Sequence, residues 1–154
     1  MSSASATGPR RILVATDFSD NARYALDYAR AVAHAQGARV VLHHSLDLPA
    51  PHTMVGGAIK SMPDFASIHD DADGKLKAEA KRAKLGQMLD AVHVGKYRPE
   101  REILAAAAAH GCDLVVMGTR GHRGVERVLL GSVSERVARE CPVPVLVVPM
   151  PEAS

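Results

Sequence analysis

Three glycines and a serine carry the clearest chemistry in the chain. Gly118-Thr119-Arg120-Gly121 follows the apolar run Leu114-Val115-Val116-Met117, and Leu130-Gly131-Ser132 comes shortly after. A glycine directly after a buried strand lets backbone amides approach a phosphate with no Cβ in the way. Gly131-Ser132 opens a helix, whose unpaired amides and dipole favour an anion. Two phosphate-facing elements would then flank one crevice. There is no Gly-Lys-Ser/Thr, so this is not a Walker A loop. Nor is it the dinucleotide fingerprint, which follows the first strand and not the fourth. The same glycines also serve turns and caps with no ligand, and Ser132 with Glu135 reads as an S-x-x-E capping box. Residue types alone leave both readings open.

Other candidates are weaker. Asp17 follows the first strand, where it is either a ligand carboxylate or a helix-start group. Arg120, Arg123 and Arg127 can make charge-assisted contacts to phosphates, with a solvated face as the simpler reading for each. His43 and His44 point to opposite faces of a strand and cannot chelate together, and no i, i+4 His pair or Cys cluster supports a metal site. Asp70, Asp71 and Asp73 would suit the dipole of a Lys-rich helix after them. Cys112 and Cys141 are the only cysteines. Two lone thiols beside apolar runs read as small buried hydrophobes, not as a disulfide framework.

The elements that must position these residues alternate. Ile12–Ala15 is a continuous apolar run, the mark of a strand buried on both faces. A helix follows, with Ser19 as N-cap, Asp20 at its positive end and Gly37 at C′. Ala22, Ala25, Leu26, Ala29, Val32, Ala33 and Gln36 share one face of it. Val40–His44 is a second strand. From Leu48 to about Asp73 the pattern breaks into prolines, Gly56-Gly57 and scattered polar residues, which predicts a mobile cover with room for a short helix. A charged helix is expected from Lys75 to about Asp90, then a weak strand at Ala91–Lys96. Pro99 suits a first helical position, and Gly111 closes that helix. Leu114–Met117, a helix over Ser132–Glu140 and the strand Val143–Val148 complete the order. Such alternation implies a parallel sheet with helices on both faces, and a ligand crevice outside the carboxyl ends of its strands.

Composition narrows the function. The chain has 154 residues, enough for one domain with a core. Two Phe, three Tyr and no Trp leave no stacking platform for single-stranded nucleic acid. A net charge of +2 is too balanced for a dedicated nucleic-acid binder or a polybasic membrane surface. Residues 1–9 form a small polar tail without the apolar core of a signal peptide, and no run is long enough for a bilayer. The expectation is a soluble cytoplasmic protein with neither nucleic-acid nor membrane partner.

Gly118, two residues, Gly121, nine residues, then Gly131-Ser132 resembles without a gap the nucleotide motif of the universal stress protein family, in its ATP-binding branch. The opening Ile12–Ser19 is also similar to that family. So are His44 at the end of the second strand, Asp113–Gly118, and Pro142–Val148. The resemblance spans about residues 10–149 and sets 49–75 apart as a variable segment within a domain over 10–150. It implies a single three-layer α/β domain of the adenine nucleotide alpha hydrolase-like type, with a five-stranded parallel sheet in the order 3-2-1-4-5. It further implies ATP as ligand, with Mg²⁺ held through the phosphates, and a homodimer joined through Val143–Val148. By position, Asp17 would lie at the ribose or metal side, and Ser45, just past the second strand, would hold adenine through its backbone. Gly118 and Gly121, with Thr119 and Arg120 between them, would carry ribose and phosphates, and Gly131 and Ser132 the phosphates. Tyr97 stands where the family has a turn glycine, and Gly95 takes over part of that role.

The resulting expectation is an ATP-binding stress-response module acting through partner binding or dimer stability. A slow ATPase at the same site is the alternative. Hydrolysis needs a positioned water and an orienting base, and Asp17, Arg120 and His122 form no recognised catalytic set. A phosphorelay receiver fails, because the third strand ends in Lys96-Tyr97-Arg98 and the fifth in Pro149-Met150-Pro151.

Overall fold

Apolar runs bounded by turn residues build a five-stranded parallel sheet in the order 3-2-1-4-5. The strands are β1 (Arg11–Ala15), β2 (Arg39–Ser45), β3 (Leu89–Gly95), β4 (Leu114–Gly118) and β5 (Val145–Val148). The helices are α1 (Asp20–Gln36), α2 (Phe65–Arg82), α3 (Pro99–Ala109) and α4 (Ser132–Glu140). The computed structural model describes residues 7–49, 64–119 and 130–151.

The strand period of two sorts side chains into two cores. Ile12, Val14, Val40, Leu42 and Val116 pack beneath α1 and α2. Leu13, Val41, Val115 and Met117 pack beneath α3 and α4. The result is three layers. Cys112 is buried in the second core, where burial pushes its thiol up to about 11, the state of a packing residue. Among the described residues no helix is long and apolar enough to cross a membrane.

Local signals explain α1. The Ser19 hydroxyl accepts from the Ala22 amide at 3.2 Å, and Gly37 ends the helix in the left-handed region at φ 65°. Pro99 occupies the start of α3. Several expected boundaries are corrected. The second helix begins at Phe65, ten residues before Lys75, and ends at Arg82, so 65–75 is helix and not cover. Asp64 caps it by accepting from the Ala66 amide at 3.1 Å. Asp70, Asp71 and Asp73 therefore lie inside the helix, and Asp73 pairs with Lys77 at 2.7 Å. A 3₁₀ turn at Gly86–Met88 leads into the third strand, which starts at Leu89. The last strand starts at Val145, two residues later than expected. Residues 1–6 of the expected 1–9 tail and the stretch 50–63 lie outside the described residues.

Glu79 is buried, yet it accepts from Arg23 and Arg82 at 3.0 Å each, which ties α2 to α1.

Gly118 shows why β4 must end in glycine. A Cβ there would stand 3.1 Å from the Asn21 carbonyl oxygen and 3.2 Å from its carbon. The start of α1 rests on the end of β4 at that point, and neither backbone yields easily. Gly118→Ala is expected to destabilise the ligand-free protein by about 1–3 kcal/mol, read as a lower urea midpoint at unchanged slope. An unchanged midpoint would mean that this contact is slack.

Candidate functional site

The chain leaves β1 towards β2 through α1 and returns to its other side through α3 and β4. That reversal opens a crevice at the carboxyl ends of β1 and β4. It encloses about 240 Å³. Ala15, Met117, Ile103 and Pro99 supply apolar walls, and Asp17, His43 and Ser45 supply polar groups. The first turn of α4, Ser132–Ser134, forms the end opposite β2.

The turn after β1 is tightly held. Thr16 Oγ1 accepts from the Phe18 amide and Asp17 Oδ1 from the Ser19 amide, both at 3.0 Å. Phe18 sits at φ 65°, which is strained for an aromatic residue. Its ring packs on His44 with centroids 4.5 Å apart, and His44 Nδ1 donates to the Thr16 carbonyl at 2.8 Å. Burial lowers the His44 pKa against the raising effects of that bond and of Asp17. The strain thus fixes how the Asp17 segment enters the crevice.

At the other wall, the Gly131 amide donates to the Thr119 carbonyl at 2.7 Å and joins the end of β4 to the start of α4. The Ser134 hydroxyl donates to the Gly118 carbonyl at 2.8 Å and fastens α4 to β4. Gly131 is the N-cap and Ser132 the first helical residue, without a side-chain cap bond. The expected Ser132–Glu135 capping box therefore does not form, since Ser132 stands one position too late. The amides of Ser132, Val133 and Ser134 have no acceptor within the helix and belong to the crevice lining.

Of the residues expected at a site, Asp17, Ser45, Gly118, Gly131 and Ser132 line this one crevice, and Thr119 adjoins it. Arg120, Gly121, His122, Arg123 and Arg127 lie outside the described residues. Ser45 is the last residue of β2 and not the one past it. Its partner Gly95 ends β3, where a Cβ would collide with the Glu102 side chain. Neither Phe18 nor Tyr97 lines the crevice. Among the described residues no group of three or more His, Cys, Asp or Glu is placed to hold a metal.

Sequence reasoning weighed His43 only as a metal ligand. It is fully buried, bonded through Nε2 to Ser45 Oγ at 2.7 Å and through Nδ1 to His93 Nδ1 at 2.8 Å. The i, i+2 spacing of His43 and Ser45 put them on one face, a readable sign. The third member lies on another strand.

A doubly wound parallel sheet with a helix start across its switch point defines a three-layer α/β domain. The Universal stress protein family profile matches residues 8–149. A universal stress protein of Thermus aquaticus is 37% identical over 143 residues, covering 90% of this chain and 98% of its own. One of Methanocaldococcus jannaschii is 31% identical, covering 90% and 94%. The solved structure of that archaeal protein superposes with a TM-score of 0.71 at 28% identity, covering 94% and 98%. A universal stress protein solved in complex with cAMP gives 0.64 at 25% identity, covering 94% and 99%. The chain belongs to the universal stress protein family.

Burial lowers the His43 pKa from 6.5 to about 3, helped by the charges of His93, His44 and His110. The folded protein therefore binds this proton more weakly than the unfolded chain does. Stability is full above the ordinary histidine value and is lost as pH falls from 6.5 towards about 3. Thermal melting across that range should show a falling Tm in the wild type and a shallower fall in His43→Leu. Parallel curves would contradict this account of His43.

Proposed function

We propose that this chain is a binding module for an adenine nucleotide, ATP with Mg²⁺ held through its phosphates, acting in a stress response by altering partner binding or dimer stability. The observation that carries this reading is the open first turn of α4 beside the crevice. Three backbone N–H groups and the positive end of a helix dipole favour an anion there. The apolar walls suit a planar body, and the relative solved with cAMP supports the ligand class. On this reading the phosphates meet Gly131, Ser132 and the segment Gly118-Thr119-Arg120-Gly121. Asp17 faces the ribose or the metal side, and Ser45 meets the base. The outer edge of β5 lies at the margin of the sheet, and a second copy would pair along it. A cytoplasmic location fits the same role.

Binding is favoured over the slow ATPase. Asp17 Oδ1 is engaged by the Ser19 amide, and hydrolysis needs a group free to orient water.

Ser132→Asp separates ligand binding from folding. A carboxylate at the helix start suits the dipole but repels phosphate. Calorimetric titration with Mg-ATP should show affinity lowered at least about tenfold, since like charges in contact cost several kcal/mol, with an unchanged or raised apo Tm. Wild-type affinity in the variant would place the phosphates elsewhere.

A further inference from the structure

Ser45, His43 and His93 form one continuous chain of hydrogen bonds running from the crevice to β3. His43 and His93 are register partners on adjacent strands, and the Ser45 hydroxyl lies two residues along on the same face. The His43 and His93 rings are 17° from parallel with centroids 5.0 Å apart, while their Nδ1 atoms are 2.8 Å apart. Those values place the two nitrogens on the line joining the ring centres. The contact is therefore an in-plane N–H···N bond, not a stack of faces.

Such a chain has two polarities. In one, Ser45 donates to His43 Nε2 and His43 Nδ1–H donates to His93 Nδ1, so Ser45 offers only lone pairs to the crevice. In the other, His93 Nδ1–H donates to His43, His43 Nε2–H donates to Ser45, and the Ser45 proton turns to the crevice. Neutral histidines permit both. A protonated His93 carries hydrogen on both nitrogens and permits only the second.

We propose that the Ser45–His43–His93 relay sets the hydrogen-bond polarity that the crevice shows to the edge of a bound purine, accepting an amino edge while His93 is neutral and favouring a carbonyl edge once His93 is protonated. This rests on the nucleotide reading above. His93 takes the proton first because it is only half-buried, whereas His43 is fully buried. Its surroundings come from three elements: His43 on β2, Glu102 on α3 with His110 at that helix's C-cap, and His69 on α2. Burial and the charges of His110 and His69 lower the His93 pKa, while Glu102 raises it. His110 meets the His93 ring edge-on at 5.4 Å.

A nucleophilic serine with a histidine base and a second histidine to orient it would share this connectivity. The depressed basicity of His43, at about 3, argues against that use. A weak base that stays neutral suits a relay of polarity.

The test compares AMP with IMP, which differ in an amino against a carbonyl group at one ring edge. Affinities are measured calorimetrically at about pH 8 and about pH 5. The AMP-to-IMP affinity ratio of the wild type should fall by about fivefold on acidification, the worth of one net hydrogen bond. In His93→Gln, which cannot take up the proton, the ratio should not depend on pH. A wild-type ratio that stays constant, or that falls equally in His93→Gln, would overturn the relay. Failure of both nucleotides, and of Mg-ATP, to bind at either pH would instead reject the nucleotide reading. Ring ¹⁵N spectra of the ligand-free protein decide the relay in that event. Neutral His43 should move wholly to the Nε2–H tautomer as His93 becomes doubly protonated, and persistence of the Nδ1–H form would contradict it.

Discussion

β1 lies in the middle of the sheet, bonded to β2 on one side and β4 on the other, and the chain cannot cover its carboxyl end from either side. The first half of the protein winds away under α1 and α2, and the second returns under α3 and α4. Everything at the crevice follows from that reversal. The end of β4 must meet the start of α1, which makes a Cβ at Gly118 a tight fit against the Asn21 carbonyl. The turn after β1 must bend sharply within Thr16–Ser19, and Phe18 takes a strained conformation to do so. The start of α4 must face the opening because Ser134 fastens it to the Gly118 carbonyl.

The crevice that results is polarised along its length. Helix amides without an intrahelical acceptor lie at the α4 end, and His43, whose pKa burial lowers to about 3, lies at the β2 end. Aliphatic side chains separate them. Such a cavity favours an anion at one end and a neutral heterocycle at the other, and no aromatic residue is needed to stack on it. The scarcity of aromatic residues in the sequence thus excludes stacking recognition and leaves backbone and hydroxyl recognition in place. Neutral histidines are also the cost of this design, since acid charges them and weakens the fold.

The sheet and its order were legible because parallel strands buried on both faces read as unbroken apolar runs, and α1 because its cap, stripe and terminal glycine agree. The start of α2 was not. Its first two turns are largely exposed, with Ile68 and His69 half-buried and Ala72 the first buried residue, and Gly74 interrupts the pattern before Leu76 and Ala80 supply a face. Ser132 looked like a cap because serine suits that position, but the Gly131 amide bonds to Thr119 and shifts the helix start by one residue. That Gly118, Asp17, Ser45 and Ser132 share one crevice was legible because their spacing puts them at strand ends or helix starts. The Ser45–His43–His93 chain needed the register between β2 and β3, which depends on a bulge after Val40 that the residues themselves do not announce.

The central claim is that this crevice holds an adenine nucleotide. Native mass spectrometry of freshly purified protein tests it most directly, followed by denaturation and identification of what is released. The account predicts a mass increment that disappears on denaturation and is recovered as an adenine nucleotide. Protein that carries no nucleotide, and gains none when millimolar Mg-ATP is added, would contradict it.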